Sequence, residues 1–170
     1  MPRPFIPYPD RRLAQVAQPV DTVDEEVRAI WKEMLAAMQS MPSGVGLAAP
    51  QLGIGMRLAV VDCSDDRDAP VLMANPEVIE ASEETTARRE ASPNLPGVSA
   101  EVVRPSEVAV AYLGEKGVRE RQVFTGLWAT SVQHQIDHLN GMLYVDRLRP
   151  VKRKMVLAKY LKQQKKAGQR

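Results

Sequence analysis

Val23, Val27, Ile30, Trp31, Met34, Leu35 and Met38 fall on one stripe when the chain is wound at helical spacing. That spacing predicts a core-facing helix over 22–39. Thr22-Val23-Asp24-Glu25 reads as its capping box, and Met41-Pro42-Ser43-Gly44 ends it. The periodicity then changes. Segments 57–62, 71–81, 83–90, 98–103, 108–113 and 118–124 read as strands. The second is broken by Asn75-Pro76, and Glu115-Lys116-Gly117 forms a hairpin turn between the last two. Residues 127–139 contain no Gly or Pro and stop at Asn140-Gly141, so they predict a second helix. Residues 142–145 read as a short strand. A last helix starts near Pro150, presents Val151, Met155, Leu157, Ala158 and Leu161 on its apolar side, and ends at Gly168. Pro2, Pro4, Pro7, Pro9 and Pro19 exclude long regular structure at the start, leaving room for a helical turn within 10–17. Residues 44–53 are small and glycine-bearing and read as a flexible loop. The order predicts an α+β fold: a helix, a largely antiparallel set of strands, a central helix and a tail helix.

A length of 170 residues predicts a single domain over 1–170, and a hydrophobic content of 44% is ample for its core. No apolar run approaches the ~20 residues that span a membrane, and the N-terminal residues lack the pattern of a signal peptide. The single cysteine, Cys63, excludes an internal disulfide and a multi-cysteine zinc site; it reads as a small buried thiol. These features predict a cytoplasmic protein. Charge sharpens the picture at one end. Residues 150–170 carry eight Lys and Arg and no Asp or Glu, leaving 15 basic against 21 acidic residues elsewhere. A basic tail on a mildly acidic body either meets an anionic surface or is simply a solvated helix.

The candidate chemistry lies in the predicted central helix. His134 and His138 are the only histidines, and a four-residue spacing stacks them on one helical face, within reach of one ion. A His pair four apart around a Glu is the zinc-hydrolase pattern in which the Glu is general base. Here Gln135 stands where that Glu would be. The glycines of 44–53 permit close backbone approach to a ligand. They do not make a phosphate loop, because no Lys-Ser or Lys-Thr follows them.

Three segments, in order and spacing, resemble the peptide deformylase family. Gly44-Val45-Gly46-Leu47-Ala48-Ala49-Pro50-Gln51 resembles the first family motif, GxGLAAxQ. Glu90-Ala91-Ser92-Pro93-Asn94 aligns with the second, EGCLS. His134-Gln135-Ile136-Asp137-His138-Leu139-Asn140-Gly141 aligns with the third, HExxDHLxG. The likeness extends over about residues 4–149, supported by Pro9-Asp10-Arg11-Arg12-Leu13, Asn75-Pro76 and Asp146-Arg147-Leu148. It implies a peptide-deformylase-like α+β fold, with antiparallel strands packed around a central helix bearing His134 and His138. It also implies removal of formyl from the N-terminal methionine of new chains, using a divalent metal, iron(II) or zinc. Residue by residue, the resemblance makes His134 and His138 metal ligands and Gln51 the oxyanion-stabilising side chain. Gly44, Val45, Gly46, Leu47, Glu90 and Leu127 become substrate-binding positions, with the peptide adding as a strand beside 44–47. The implied partner is a peptide or nascent-chain N-terminus. The basic tail, about 150–170, would offer a contact to the ribosome, and no membrane is involved.

The departures concentrate on the chemistry. Ser92 occupies the place of the metal-binding Cys, and a hydroxyl that stays protonated near neutrality is a poor ligand. Cys63, on a different strand, does not replace it. Gln135 occupies the place of the general base, a role that typically contributes about 10²- to 10⁴-fold. Pro93 removes a backbone N–H where the family presents an oxyanion donor, a loss of roughly 10²- to 10³-fold in comparable sites. Ala91 and Asn94 read as milder changes. The pattern predicts a deformylase-like protein that keeps its peptide groove with impaired or absent catalysis, its metal weakly bound or absent. One alternative is a metal-dependent hydrolase of residual or altered activity, with His134, His138 and Ser92 around the ion. Another is metal-free chemistry with Ser92 as nucleophile beside a histidine. A third is that the two histidines form only a polar patch.

Overall fold

The computed structural model describes residues 2–168. Helix α1 spans Glu25–Gln39, helix α2 Gly126–Leu139 and helix α3 Pro150–Ala167. Seven strands lie between α1 and α2: β1 Gly46–Ala48, β2 Leu58–Val61, β3 Val71–Ala81, β4 Thr85–Glu90, β5 Ala100–Pro105, β6 Glu107–Leu113 and β7 Arg119–Thr125. Strands β1-β2-β3-β6-β7 form one antiparallel sheet in that order, and β4-β5 form a separate hairpin. Short 3₁₀ turns occupy Arg11–Ala14, Ala49–Leu52 and Tyr144–Arg147.

The five-stranded sheet is covered on both faces. Val27, Trp31, Met34 and Met38 of α1 pack with Leu58 and Val60 of β2, whereas Ala129, Val132, Ile136 and Leu139 of α2 pack with Ala59 and Val61. All four β2 residues are buried for that reason, and a strand covered on both faces reads as a continuous apolar run. A third apolar cluster joins α3, β5 and the N-terminal segment through Leu157, Tyr160, Val102 and Ile6.

Several local expectations are corrected. The cap of α1 is Asp24, whose carboxylate accepts from Val27 N at 2.9 Å. An anionic acceptor at the positive end of the helix outcompetes the Thr22 hydroxyl. Residues 44–53 are not a flexible loop: β1 pairs with β2 along one edge only, and a 3₁₀ turn follows directly. Strand β3 runs unbroken through Asn75-Pro76, because a bulge there takes up the proline. Asn75, at φ 51, exchanges side-chain hydrogen bonds with both backbone groups of Val20, at 2.9 and 2.8 Å. Residues 142–145 form no strand. Asp146 accepts from Leu143 N at 2.8 Å and winds the segment into a 3₁₀ turn that buries Tyr144 and Val145. On α3 the buried edge is Leu157 and Tyr160, while Val151, Met155 and Leu161 are 74%, 66% and 47% exposed. The helix meets the body along one narrow edge, so the other apolar positions turn outward. Pro150 opens it as expected.

Candidate functional site

Helix α2 has eleven consecutive buried residues, Ala129 to Leu139, and carries its polar side chains into the protein. One side of it faces a cavity of ≈ 370 Å³ between the open edge of β1 and the end of β4. The cavity is lined by Gly44, Val45 and Gly46 along the β1 edge, by Glu90 at the end of β4 and by Ser92 just beyond it. Gln51 comes from the 3₁₀ turn, and Leu127, His134 and Gln135 from α2. Nine of the eleven sequence-predicted positions therefore converge on one groove. Leu47 instead points into the α1 side of the sheet, and His138 is fully buried behind His134. A Cβ on Gly46 would stand 2.5 Å from both Ser131 Oγ and Gln135 Nε2, so both side chains would have to shift to admit one.

The two imidazoles present their Nε2 atoms to each other at 3.1 Å. His134 Nδ1 lies 2.7 Å from Glu90 Oε1, so Nδ1–H donates to the carboxylate and Nε2 is left as an acceptor. Glu90 also accepts from Arg104 Nε and Nη2 at 2.7 and 2.9 Å. Arg104 Nη1 donates to Asp137 at 2.9 Å, and Arg147 closes the chain on Asp137 at 2.6 and 3.1 Å. Burial alone would raise the Glu90 pKa, but the bonds and charges of His134 and Arg104 outweigh it and hold Glu90 below the usual carboxylate value. Burial, with His134 and Arg104 as neighbours, pushes His138 well below the usual imidazole range. His138 Nδ1 and Gln135 Oε1 are buried with no hydrogen-bond partner.

Ser92 and Gln51 belong to a second network. Gln51 Oε1 accepts from Ala48 N at 2.9 Å, and Gln51 Nε2 donates to Ser92 Oγ at 3.2 Å and to Asn94 Oδ1 at 2.7 Å. Ser92 Oγ donates in turn to Asn94 Oδ1 at 3.1 Å. No hydrogen bond joins Ser92 to either histidine, so the Ser–His dyad needed for a serine nucleophile is not formed.

The fit to a divalent metal is half complete. Two imidazole nitrogens bound tetrahedrally to one zinc stand roughly 3.3 Å apart, by the usual bond lengths, and 3.1 Å is close to that. A catalytic site needs a third protein ligand. Among the described residues no group of three or more His, Cys, Asp or Glu is arranged to hold an ion, and the Ser92 hydroxyl is engaged with Gln51 and Asn94. Cys63 lies past the end of β2, with Sγ 3.8 Å from Val45 O, and does not line the groove. Burial pushes its thiol up to about 11. The residues present therefore do not make the family's metal centre.

A larger depression of ≈ 670 Å³ on the far side of α2 is lined by Arg57, Arg104, Asp137 and Arg147. Those groups already satisfy one another or backbone carbonyls. Sequence reasoning missed the Arg104–Asp137–Arg147 chain, Ser131 and the reach of Asn94. Arg104 alone carried a signal, as a charge in step with the inward-facing Ala100 and Val102 of β5.

An α+β fold with a His-x₃-His helix lining a groove beside an open edge strand defines a recognisable class. The family model for polypeptide deformylase matches residues 2–154. The peptide deformylase of Methylocella silvestris is 43% identical over 165 residues, covering 94% of this chain and 84% of that protein. That of Mesorhizobium japonicum is 41% identical over 162 residues, covering 94% and 92%. The crystal structure of a peptide deformylase from Legionella pneumophila superposes with a TM-score of 0.90 at 35% identity, covering 100% of this chain and 99% of that one. One from Synechococcus elongatus, solved in complex with actinonin, gives 0.87 at 38% identity, covering 93% and 87%. The chain belongs to the polypeptide deformylase family.

Proposed function

We propose that this protein is a deformylase-like member whose formyl-hydrolysing chemistry is impaired or lost, and whose groove still takes N-terminal methionine peptides. One observation carries the reading. Ser92 and Gln51, at the positions of a metal ligand and an oxyanion donor, spend their hydrogen bonds on each other and on Asn94. Gln135 at the base position cannot shuttle a proton as a carboxylate does, and Pro93 has no N–H to offer. In this reading Gly44, Val45, Gly46 and Leu47 supply the edge beside which a peptide adds, with Glu90 and Leu127 bounding it. His134 and His138, with Ser92 at most a poor third ligand, would hold iron(II) or zinc weakly or not at all.

The partner is a peptide or nascent-chain N-terminus, met in the cytoplasm by one domain spanning 1–170. Helix α3 supports a contact with the ribosome: its solvent side carries Lys152, Lys154, Lys159, Lys162, Lys165 and Lys166, and among the described residues no helix is long and apolar enough to cross a membrane. The alternative, a residual metal hydrolase, is favoured by the convergence of the two Nε2 atoms.

Elemental analysis of anaerobically purified protein, with His138→Ala as control, separates the two. The proposal expects no metal above the control, and no formate from formyl-Met peptides under iron(II) or zinc loading. Near one metal per chain, with turnover that His134→Ala abolishes and Gln135→Glu raises, would establish the alternative.

A further inference from the structure

Asn94 reads as a minor change in the sequence, but it sits at the centre of the second network. It is fully buried. Its Oδ1 accepts from Gln51 Nε2 and from Ser92 Oγ, and its Nδ2 donates to the carbonyls of Ile6 and Gln51, at 2.5 and 3.2 Å. Its backbone carbonyl accepts from Tyr8 N at 2.9 Å. The surroundings fix both carboxamides. Turning Asn94 over would set its oxygen against two carbonyls, and turning Gln51 over would set its NH₂ against the Ala48 N–H. A carboxamide nitrogen has two protons, and at Gln51 both are spent, on Asn94 and on Ser92.

We propose that Asn94 is a positioning residue that captures the Gln51 carboxamide, so that restoring Cys at 92 and Glu at 135 does not by itself restore an oxyanion donor. Returning Cys to 92 removes one acceptor of Gln51 Nε2, but the shorter bond, to Asn94, remains. A serine at 94 lacks the carboxamide oxygen that makes that bond. Its removal releases the Gln51 carboxamide to turn an N–H toward a ligand oxygen in the groove, which Gln51 lines and Asn94 does not. The same change takes a donor from Ile6 O and Gln51 O, so N94S also lowers the melting temperature.

This rests on the deformylase-like reading of Gln51, and the two fail separately. Formate release by the wild-type protein overturns the proposed loss of catalysis, whatever Gln51 does. Fast exchange at Gln51 in an inactive protein overturns the capture alone.

The deciding measurement is solvent exchange of the Gln51 side-chain amide protons by NMR, with Gln164, on the exposed side of α3, as internal reference. In the wild-type protein both Gln51 protons exchange at least tenfold more slowly than those of Gln164. In N94S one of the two gains at least tenfold. Exchange at the reference rate in the wild-type protein overturns the proposal, even where N94S does not fold. The consequence for chemistry is read by comparing S92C/Q135E with S92C/Q135E/N94S on formyl-Met-Ala-Ser at equal metal content. The triple variant is faster in kcat by about 10²- to 10³-fold, the usual worth of one oxyanion donor, with KM within a few fold. Equal kcat in the two variants overturns the proposal, because a role confined to holding the N-terminal segment would leave kcat unmoved.

Discussion

Replacing Arg104 with Met removes the one cation that stands between two buried carboxylates. Arg104 is 4% exposed and makes three bonds of 2.7–2.9 Å, two to Glu90 and one to Asp137. Asp137 keeps Arg147, on two bonds of 2.6 and 3.1 Å, but Glu90 keeps only His134. Breaking a buried pair from one side costs about 3–5 kcal/mol, because the remaining charge is desolvated without compensation. For a chain of this length that is a fall in melting temperature of roughly 6–20 °C. Glu90→Gln is milder, about 1.5–3 kcal/mol, since Arg104 retains Asp137. The two changes are coupled. In R104M/E90Q the stranded charge is gone, and the double variant loses less than the sum by about 1–3 kcal/mol.

The pH dependence gives the sign. In the wild-type protein Glu90 is held below its unfolded pKa, so its contribution is present above the unfolded value and is lost as pH falls through the folded one. In R104M the guanidinium is absent and burial dominates, so proton uptake relieves the stranded carboxylate, and the deficit shrinks on acidification. Urea unfolding followed by far-UV circular dichroism at pH 7.5 and pH 4.5 measures both. A deficit below about 1 kcal/mol at pH 7.5, or one that does not narrow at pH 4.5, would refute the reasoning.

Three further outcomes follow from particular contacts. Gly46→Ala places a methyl against Ser131 and Gln135; overpacking of this kind costs about 1–3 kcal/mol, and the variant should also lose binding of Met-Ala-Ser peptides in a calorimetric titration, which normal binding would contradict. Cys63, raised to about 11 from 9.0, should carboxymethylate roughly a hundredfold more slowly in the native protein than in urea at pH 8, by its smaller thiolate fraction; equal rates would show an unburied thiol. Leu157→Ala should cost about 2–5 kcal/mol, whereas Met155→Ser, on the opposite edge of α3, should stay within about 0.5 kcal/mol; similar losses would place the buried edge of α3 elsewhere.

The helices were legible because period and punctuation agree: α1 and α2 end where Gly, Pro and Asn-Gly fall, and α3 begins at Pro150. The strands were legible as segments, but their partition between two sheets was not, because pairing depends on contacts distant in sequence. Asn75-Pro76 shows the limit of local rules. A proline argues against a continuous strand until a bulge and a two-point bond to Val20 supply what its missing N–H does not. The faces of α3 were misread because a modest apolar stripe on a mostly charged helix leaves its orientation to tertiary contact. At the groove, spacing located the histidines, and the resemblance located Gln51 and Ser92. Neither showed that Asn94 would bind both of the latter, since a side chain's reach across 43 residues leaves no pattern in the chain.

The replacements at the groove and the residues that remain can be separated by what each does for the fold. Ser92 and Gln135 are close in size to the Cys and Glu of the family motifs, though Gln135 Oε1 is left buried without a partner; on the proposed reading the chemistry then lacks a ligand and a base. His134 is different. Its Nδ1 proton is one of the donors that hold Glu90 ionised in the interior, and an apolar substitute would leave that carboxylate short of a donor at a cost of about 1–3 kcal/mol. Asp137, Arg104 and Arg147 are bound into the same chain. His134 can thus persist on structural grounds alone, whereas the His138 ring has only its bond to His134 and leaves Nδ1 buried without a partner. What bears on function is the state of their neighbours Ser92 and Gln51. There the hydrogen bonds run to Asn94 and to one another, and a reacting group entering the groove would find those partners taken.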